Sequence, residues 1–175
     1  LSDLYGVDVS YYVRVNFNGL VDIVDALGGI DVDSENAFTN RMMDIPDETG
    51  EGYYKDSYTF TEGTNHLHGR AALAFSRARC SFASGDIQRG KNQMAVIKAI
   101  VNKATSPSVL SHYQELLKAV SDAFITNLSY DDMAALVKMQ QKDMSGWHMT
   151  SYTVSGQSGE EDTYSGDYAY VMYPD

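Results

Sequence analysis

Cysteine occurs once in these 175 residues, as Cys80, which excludes an internal disulfide and any cysteine-based metal cluster. Its place beside Arg79 gives the thiol a cationic neighbour, and its small volume suits it to filling a gap. No apolar run approaches the roughly 18 residues of a membrane-spanning helix. A signal-peptide pattern is also missing, and the chain opens on Leu1 rather than Met, as an excised segment would. Histidine is scarce. The one close pair, His66 and His68, reads as two apart on a helical segment, where the rings diverge and make no metal pair. No calcium loop is spelled out either. Residues 34–57 collect Asp44, Asp47, Glu48, Glu51 and Asp56 around Pro46, Gly50 and Gly52 without EF-hand ligand spacing, so they read as an acidic loop or β-excursion. Repeats and low-complexity tracts are absent. What is present, 43% hydrophobic and 21% charged residues, suffices for a core and argues against disorder, and the length fits one domain or a large part of one.

Cations are the scarcest charged resource, and they are gathered in one place. Residues 66–103 hold seven of the thirteen Lys and Arg residues and one of the twenty-four acids, a formal +6 against −17 for the remainder. Such a partition speaks against a nucleic-acid partner, which needs an extended basic face. It leaves two readings of the segment, a local anion site or a helix with a solvated basic face. The order of residues favours the first. An apolar run over 71–75 predicts a helix, and Arg77 and Arg79 follow two apart, sharing a face only where the chain is leaving that helix. Small and turn-prone residues over 81–85 lead to Asp86, placed as the N-cap of a second helix over about 87–103. There Arg89 and Gln93 lie one turn apart, and Met94, Ile97, Val101 and Ala104 form an apolar stripe to hold the helix on a core. Guanidinium forks at a helix N-terminus suit a phosphate or diphosphate.

Along the rest of the chain, alternation over residues 11–17 predicts a strand with Arg14 exposed. Asn18-Gly19 reads as a turn, residues 20–27 as a helix stopped by Gly28-Gly29, and residues 30–33 and 58–60 as short strands. Pro107 opens a helix expected over residues 108–124. Ser129 caps another, packed by Met133, Leu136, Val137 and Met139. Residues 147–154 and 168–173 read as two strands joined by a Gly, Ser and acid-rich loop over 155–166. Interleaved helices and strands predict an α/β fold, a three-layer α/β/α domain with a central mixed sheet.

The run Thr61-Glu62-Gly63, Leu67-His68-Gly69, Ala72-Leu73, Arg77-Ala78-Arg79, Gly85-Asp86-Ile87-Gln88-Arg89 and Gln93 resembles the signature of the LytR–CpsA–Psr family. Upstream, the residue 11–17 strand and the stretch from Gly19 through Gly28-Gly29 to Val32 resemble it too. The likeness covers most of residues 1–105. Two positions depart from the pattern: Asn92 stands where the family carries Arg, and Met94 where it carries a second Gln. The resemblance implies a single partial domain over 1–175, apparently truncated at its N-terminus and lacking an upstream segment and membrane anchor. It implies an extracytoplasmic enzyme at the membrane or cell wall of a Gram-positive bacterium. Such an enzyme is a phosphotransferase moving an anionic glycopolymer, a teichoic acid or capsular polysaccharide, from a polyprenyl-diphosphate carrier to peptidoglycan.

By the same resemblance Arg77, Arg79 and Arg89 are the catalytic, diphosphate-holding residues. Gln93 is the amide beside them and Asp86 a supporting residue that caps the helix and orients Arg89. Magnesium is implied as cofactor. The family's metal-binding aspartates sit in RSD-like and PRD-like motifs that these residues do not contain, so no metal ligand is assigned within the chain. A prenyl tail would take an apolar pocket. The alternative is a non-catalytic polyprenyl-phosphate or polyanion binding module using the same arginines.

Overall fold

The structure is a computed structural model that describes residues 2, 6–41, 57–83, 85–150 and 156–174. In chain order its elements are β1 (Val13–Val15), α1 (Phe17–Ala26), β2 (Ile30–Ser34), β3 (Phe38–Arg41), β4 (Ser57–Phe60), β5 (Gly63–Leu67), α2 (Gly69–Arg77), α3 (Asp86–Ala104), α4 (Pro107–Leu110), α5 (Tyr113–Ala119), β6 (Phe124–Thr126), α6 (Tyr130–Asp143), β7 (Gly156–Asp162) and β8 (Tyr168–Pro174). The α/β class is as expected. In place of one central mixed sheet, the described strands pair two by two, all antiparallel: β1 with β6, β2 with β5, β3 with β4 and β7 with β8.

Asn16 sets where α1 begins. Its backbone is extended and its side chain accepts a hydrogen bond from the Gly19 N–H at 2.7 Å, so the helix starts at Phe17 rather than at Leu20. Gly19 is therefore helical, not a turn. It is glycine because the Ala123 carbonyl oxygen would lie 2.0 Å from an added Cβ. Gly28 and Gly29, both at positive φ, end the helix, and the Gly29 N–H closes back on Val24 O at 3.0 Å.

The core lies where α1, α2 and α3 meet β2–β5. Val24, Ile30, Val32, Leu67, Leu73, Phe75 and Val96 are buried there. The Phe38 ring stands 4.8 Å from Phe60, 5.4 Å from Phe75 and 4.7 Å from Phe82, distances at which aromatic pairs add to simple burial. Register brings Phe38 opposite Phe60 and Ile30 opposite Leu67.

Several expectations need correction. β1 is three residues long, with Tyr11 and Phe17 outside it. Within residues 34–57, expected as an acidic loop or β-excursion, Phe38–Arg41 form β3; residues 42–56 of that stretch lie outside the described residues. The helix expected over 108–124 breaks into α4 and α5, and Phe124 belongs to β6. Ser111 donates to the Ser108 carbonyl at 2.8 Å at that break, a local bond that competes with helix continuation. The loop expected over 155–166 is mostly β7, paired with the tyrosine-rich β8. Gly159 leaves room for the Tyr173 ring, whose Cε2 would lie 2.4 Å from an added Cβ. Residues 147–150 are not a strand, and 151–155 lie outside the described residues. On α6, Leu136 and Met139 are exposed rather than packed. On α3 the buried residues are Gln88, Asn92, Val96 and Ala99, while Ile97 is exposed. A stripe sought among apolar residues alone misses a buried face that begins with two amides.

α1 and α2 approach closely at Gly69, where an added Cβ would lie 2.4 Å from the Val21 carbonyl oxygen, and the Asp25 side chain accepts from the Gly69 N–H at 2.8 Å. Gly69→Ala is expected to destabilise the fold by about 1–3 kcal/mol through overpacking against backbone. Thermal unfolding of the variant and parent measures this, and an unchanged midpoint would contradict the close contact.

Candidate functional site

The arginine corner is made by the way α2 ends. Arg77 is its last residue, and Ala78 leaves with φ −59° and ψ 117°, so Arg79 departs on a new face as the spacing predicts. Phe82 N–H bonds to Arg79 O and Gly85 N–H to Phe82 O, each at 3.2 Å, turning the chain back. Gly85, at φ +49°, is the N-cap of α3. Asp86 is thus the first helical residue and not the cap, a one-residue correction. The first closing bond is Arg89 N–H to Gly85 O at 3.2 Å, which leaves the N–H groups of residues 86–88 without a backbone partner among the described residues at the positive end of the helix.

A single carboxylate oxygen gathers two arginines. Asp86 Oδ1 lies 2.7 Å from Arg89 Nη2 and 3.3 Å from Arg79 Nε. All three side chains are substantially exposed, so these pairs contribute little to stability; their effect is to hold two guanidinium groups beside free helix N–H groups. Arg77 makes a different contact. Its Cζ stands 4.2 Å from the centroid of the Phe17 ring, a cation–π arrangement that fixes the guanidinium without neutralising it. Phe17 is 52% exposed and was missed as a site residue. Its residue type gave no sign that α2 would end above it. Gln93 is exposed one turn beyond Arg89, and no hydrogen bond joins it to the arginines.

Asn92 has left the site altogether. It is 3% exposed, donates to Phe75 O at 3.3 Å and accepts from Gln88 Nε2 at 3.2 Å. Gln88 also reaches Glu35 at 3.4 Å, and Lys91 Nζ lies 3.0 Å from the same Glu35 oxygen. The Lys91 hydrogen bond holds the Glu35 carboxyl below its ordinary value, partial burial acting the other way. The histidines also correct an expectation. His66 lies on β5, with Nδ1 2.7 Å from Asp31, and His68 precedes α2, 3.8 Å from Asp25, so the rings meet edge to face at 5.4 Å. Two residues apart on an extended chain, they share a face. Among the described residues, no group of three or more His, Cys, Asp or Glu could hold a metal ion, and no helix is long and apolar enough to cross a membrane.

A second feature lies along α1. An apolar cleft of about 270 Å³ is lined by Ile23 and Leu27 with Val13, Ile100, Leu116 and Phe124 among its walls.

The sequence profile of the LytR_cpsA_psr family matches residues 1–174. The chain belongs to the LytR–CpsA–Psr family. The polyisoprenyl-teichoic acid–peptidoglycan teichoic acid transferase TagU of Enterococcus faecalis is 35% identical over 163 residues, which is 89% of this chain and 49% of that protein. The chain spans about half the length of that curated relative. The crystal structure of Bacillus subtilis TagV superposes with a TM-score of 0.75 over 99% of this chain and 61% of that one, at 23% identity, a likeness of fold. TagT bound to LI-WTA superposes with a TM-score of 0.64 at 25% identity, over 98% of this chain and 58% of that one.

Two outcomes test this geometry. A carboxyl held low when folded stabilises the fold fully above the ordinary value of 4.5 and loses that contribution as pH falls through the lowered value. Parent and Glu35→Gln should therefore differ in thermal midpoint at pH 7, and the gap should shrink as pH falls below 4.5; a gap unchanged in acid would refute the Lys91 contact as its source. Asp86→Asn should leave the unfolding free energy within about 1 kcal/mol while tightening inorganic pyrophosphate binding. Weaker binding in calorimetry would show that orientation by Asp86 outweighs its repulsion of the anion.

Proposed function

We propose that this chain carries the diphosphate-binding part of a glycopolymer transferase. Such an enzyme moves a teichoic-acid-type or capsular polymer from a polyprenyl-diphosphate carrier to peptidoglycan. Residues 1–175 are read as one LytR–CpsA–Psr domain, working at the extracytoplasmic face of the membrane and held there by a segment outside these residues. Because a polyprenyl carrier is itself lodged in the bilayer, its enzyme must work at that surface. The observation that supports the reading most is the Arg79–Asp86–Arg89 corner at the N-terminus of α3, in a family whose relatives include named teichoic acid transferases. In the transfer, an acceptor hydroxyl oxygen forms a new bond to the phosphorus that bears the polymer. The bond from that phosphorus to the bridging oxygen breaks, polyprenyl phosphate departs, and the hydroxyl proton passes to solvent or to the leaving phosphate. Negative charge grows on the bridging oxygen, where Arg79, Arg89 and the free N–H groups of α3 stabilise it. Arg77, held on Phe17, supplies a third guanidinium at the exit of α2, one that Asp86 does not pair, and Gln93 an amide one turn along. The apolar cleft beside α1 suits the prenyl tail: Phe17 opens the helix under Arg77, and Ile23 lies about 9 Å further along its axis.

Magnesium, implied by the resemblance, finds no fit among the described residues, which offer no cluster of three ligands; its ligands would lie elsewhere, and no step is routed through it. The alternative, a binding module without turnover, draws on Asn92, buried where the family pattern has an arginine.

Calorimetric titration of a soluble polyprenyl diphosphate, with and without magnesium, tests the reading. Parent protein should bind, and Arg89→Ala should weaken binding by about 10- to 100-fold, the worth of a charge-assisted pair to phosphate. Equal binding by parent and variant would move the diphosphate elsewhere. Equal binding by the diphosphate and a prenyl-free pyrophosphate would favour the polyanion module.

A further inference from the structure

The face of α3 next to the arginine corner walls an open cleft of about 550 Å³, within the range of ligand sites. Its α3 wall runs from Gln88 to Asn102, about 21 Å at the helical rise. The opposite wall is the outward edge of β2, with Asp31, Asp33 and, just past the strand, Glu35. Each carboxylate is already anchored: Asp31 to His66 at 2.7 Å, Asp33 by the Thr64 hydroxyl at 2.6 Å, Glu35 to Lys91 at 3.0 Å. Anchored carboxylates keep lone pairs free for further donors.

The other wall has unspent groups. Gln88 is 7% exposed; its Nε2 donates to Asn92 and Glu35, and its Oε1 accepts from no described residue. Gln88 lines the cleft, beside the carboxylates of β2. An acceptor so placed seeks a donor there. Lys98 and Asn102 line the same cleft with side chains that bond to no described residue.

The lining therefore offers both donors and acceptors, and three carboxylates against two lysines. A polyphosphate polymer would meet net repulsion, while a neutral ligand dense in hydroxyl and amide groups would find partners on both walls. Gln88 is adjacent in the chain to Arg89, so one end of an occupant sits by the diphosphate. We propose that the β2–α3 cleft binds the acceptor saccharide, an N-acetylated oligosaccharide, an assignment that rests on the transferase reading above. Gln88 and Asn102 pair with acetamido groups, Lys98 donates to ring or hydroxyl oxygens, and the carboxylates of β2 accept from hydroxyl groups.

The test is an amide-shift titration of the protein with chitotetraose, with a glycerol-phosphate oligomer and inorganic pyrophosphate in parallel. Chitotetraose should shift residues 31–35 and the cleft side of α3. The Lys98→Ala/Asn102→Ala double variant, with alanine favouring the helix and an unchanged thermal midpoint as the folding check, should bind it at least about five-fold more weakly. No shift up to about 10 mM, shifts confined to other surfaces, or unchanged affinity in the double variant would overturn the proposal. Tighter binding of the glycerol-phosphate oligomer in the cleft would overturn it as well, by assigning the cleft to the donor polymer. Pyrophosphate binding without saccharide binding removes the cleft assignment and leaves the transferase reading standing. Saccharide binding in the cleft without pyrophosphate binding supports the cleft and removes that reading.

Discussion

Two short helices fastened to each other at both ends hold the rest of the molecule in place. α1 and α2 run antiparallel. Where α1 ends, the Asp25 carboxylate takes the Gly69 N–H and the Val21 carbonyl presses against the bare Gly69 α-carbon. Where α1 begins, the Phe17 ring lies under Arg77. The first contact is tight and intolerant of even a methyl group; the second is softer and half open to solvent. Because α2 is nine residues long, fixing its start fixes its exit within a fraction of a turn. That exit delivers Arg77 and Arg79 in different directions. The site's geometry is set at the opposite end of α2 from the arginines it presents.

The second constraint is the polar seam between α2 and α3. Asn92 closes the last turn of α2 by donating to the Phe75 carbonyl, and Gln88 links it to Glu35 beyond β2. A buried amide satisfied on both sides specifies one register between two helices where an apolar pair would tolerate several. This explains how the chain departs from its family's pattern without losing the fold. Asn92 spends itself on positioning α3, and the arginine corner is left to Arg79 and Arg89, joined through one oxygen of Asp86.

Motif spacing made the arginine corner legible in the sequence because it depends on local events: a helix ending at Arg77, a short turn, and a helix beginning at Asp86. The Gly28-Gly29 stop, the Pro107 start and the Ser129 cap were readable for the same reason, since each acts within one turn of chain. Long-range partners were not readable. Nothing near Phe17 announces that Arg77 will stand above it, and nothing near Gly159 announces the Tyr173 ring that lets an acidic, glycine-bearing stretch become β7. Hydrophobicity alone does not mark the buried face of α3, because Gln88 and Asn92 are inside by virtue of partners supplied from elsewhere in the chain.

The partition of charge along the chain acquires a spatial meaning on α3. Its first turn gathers guanidinium groups and free N–H groups toward an anion, while the wall facing its next turns carries three carboxylates. Opposite fields a few residues apart on one helix sort ligands by charge, favouring an anion at the N-terminus and disfavouring one along the β2–α3 cleft. The residues outside 66–103 carry −17, so the arginine corner stands in the one cationic stretch of an acidic chain.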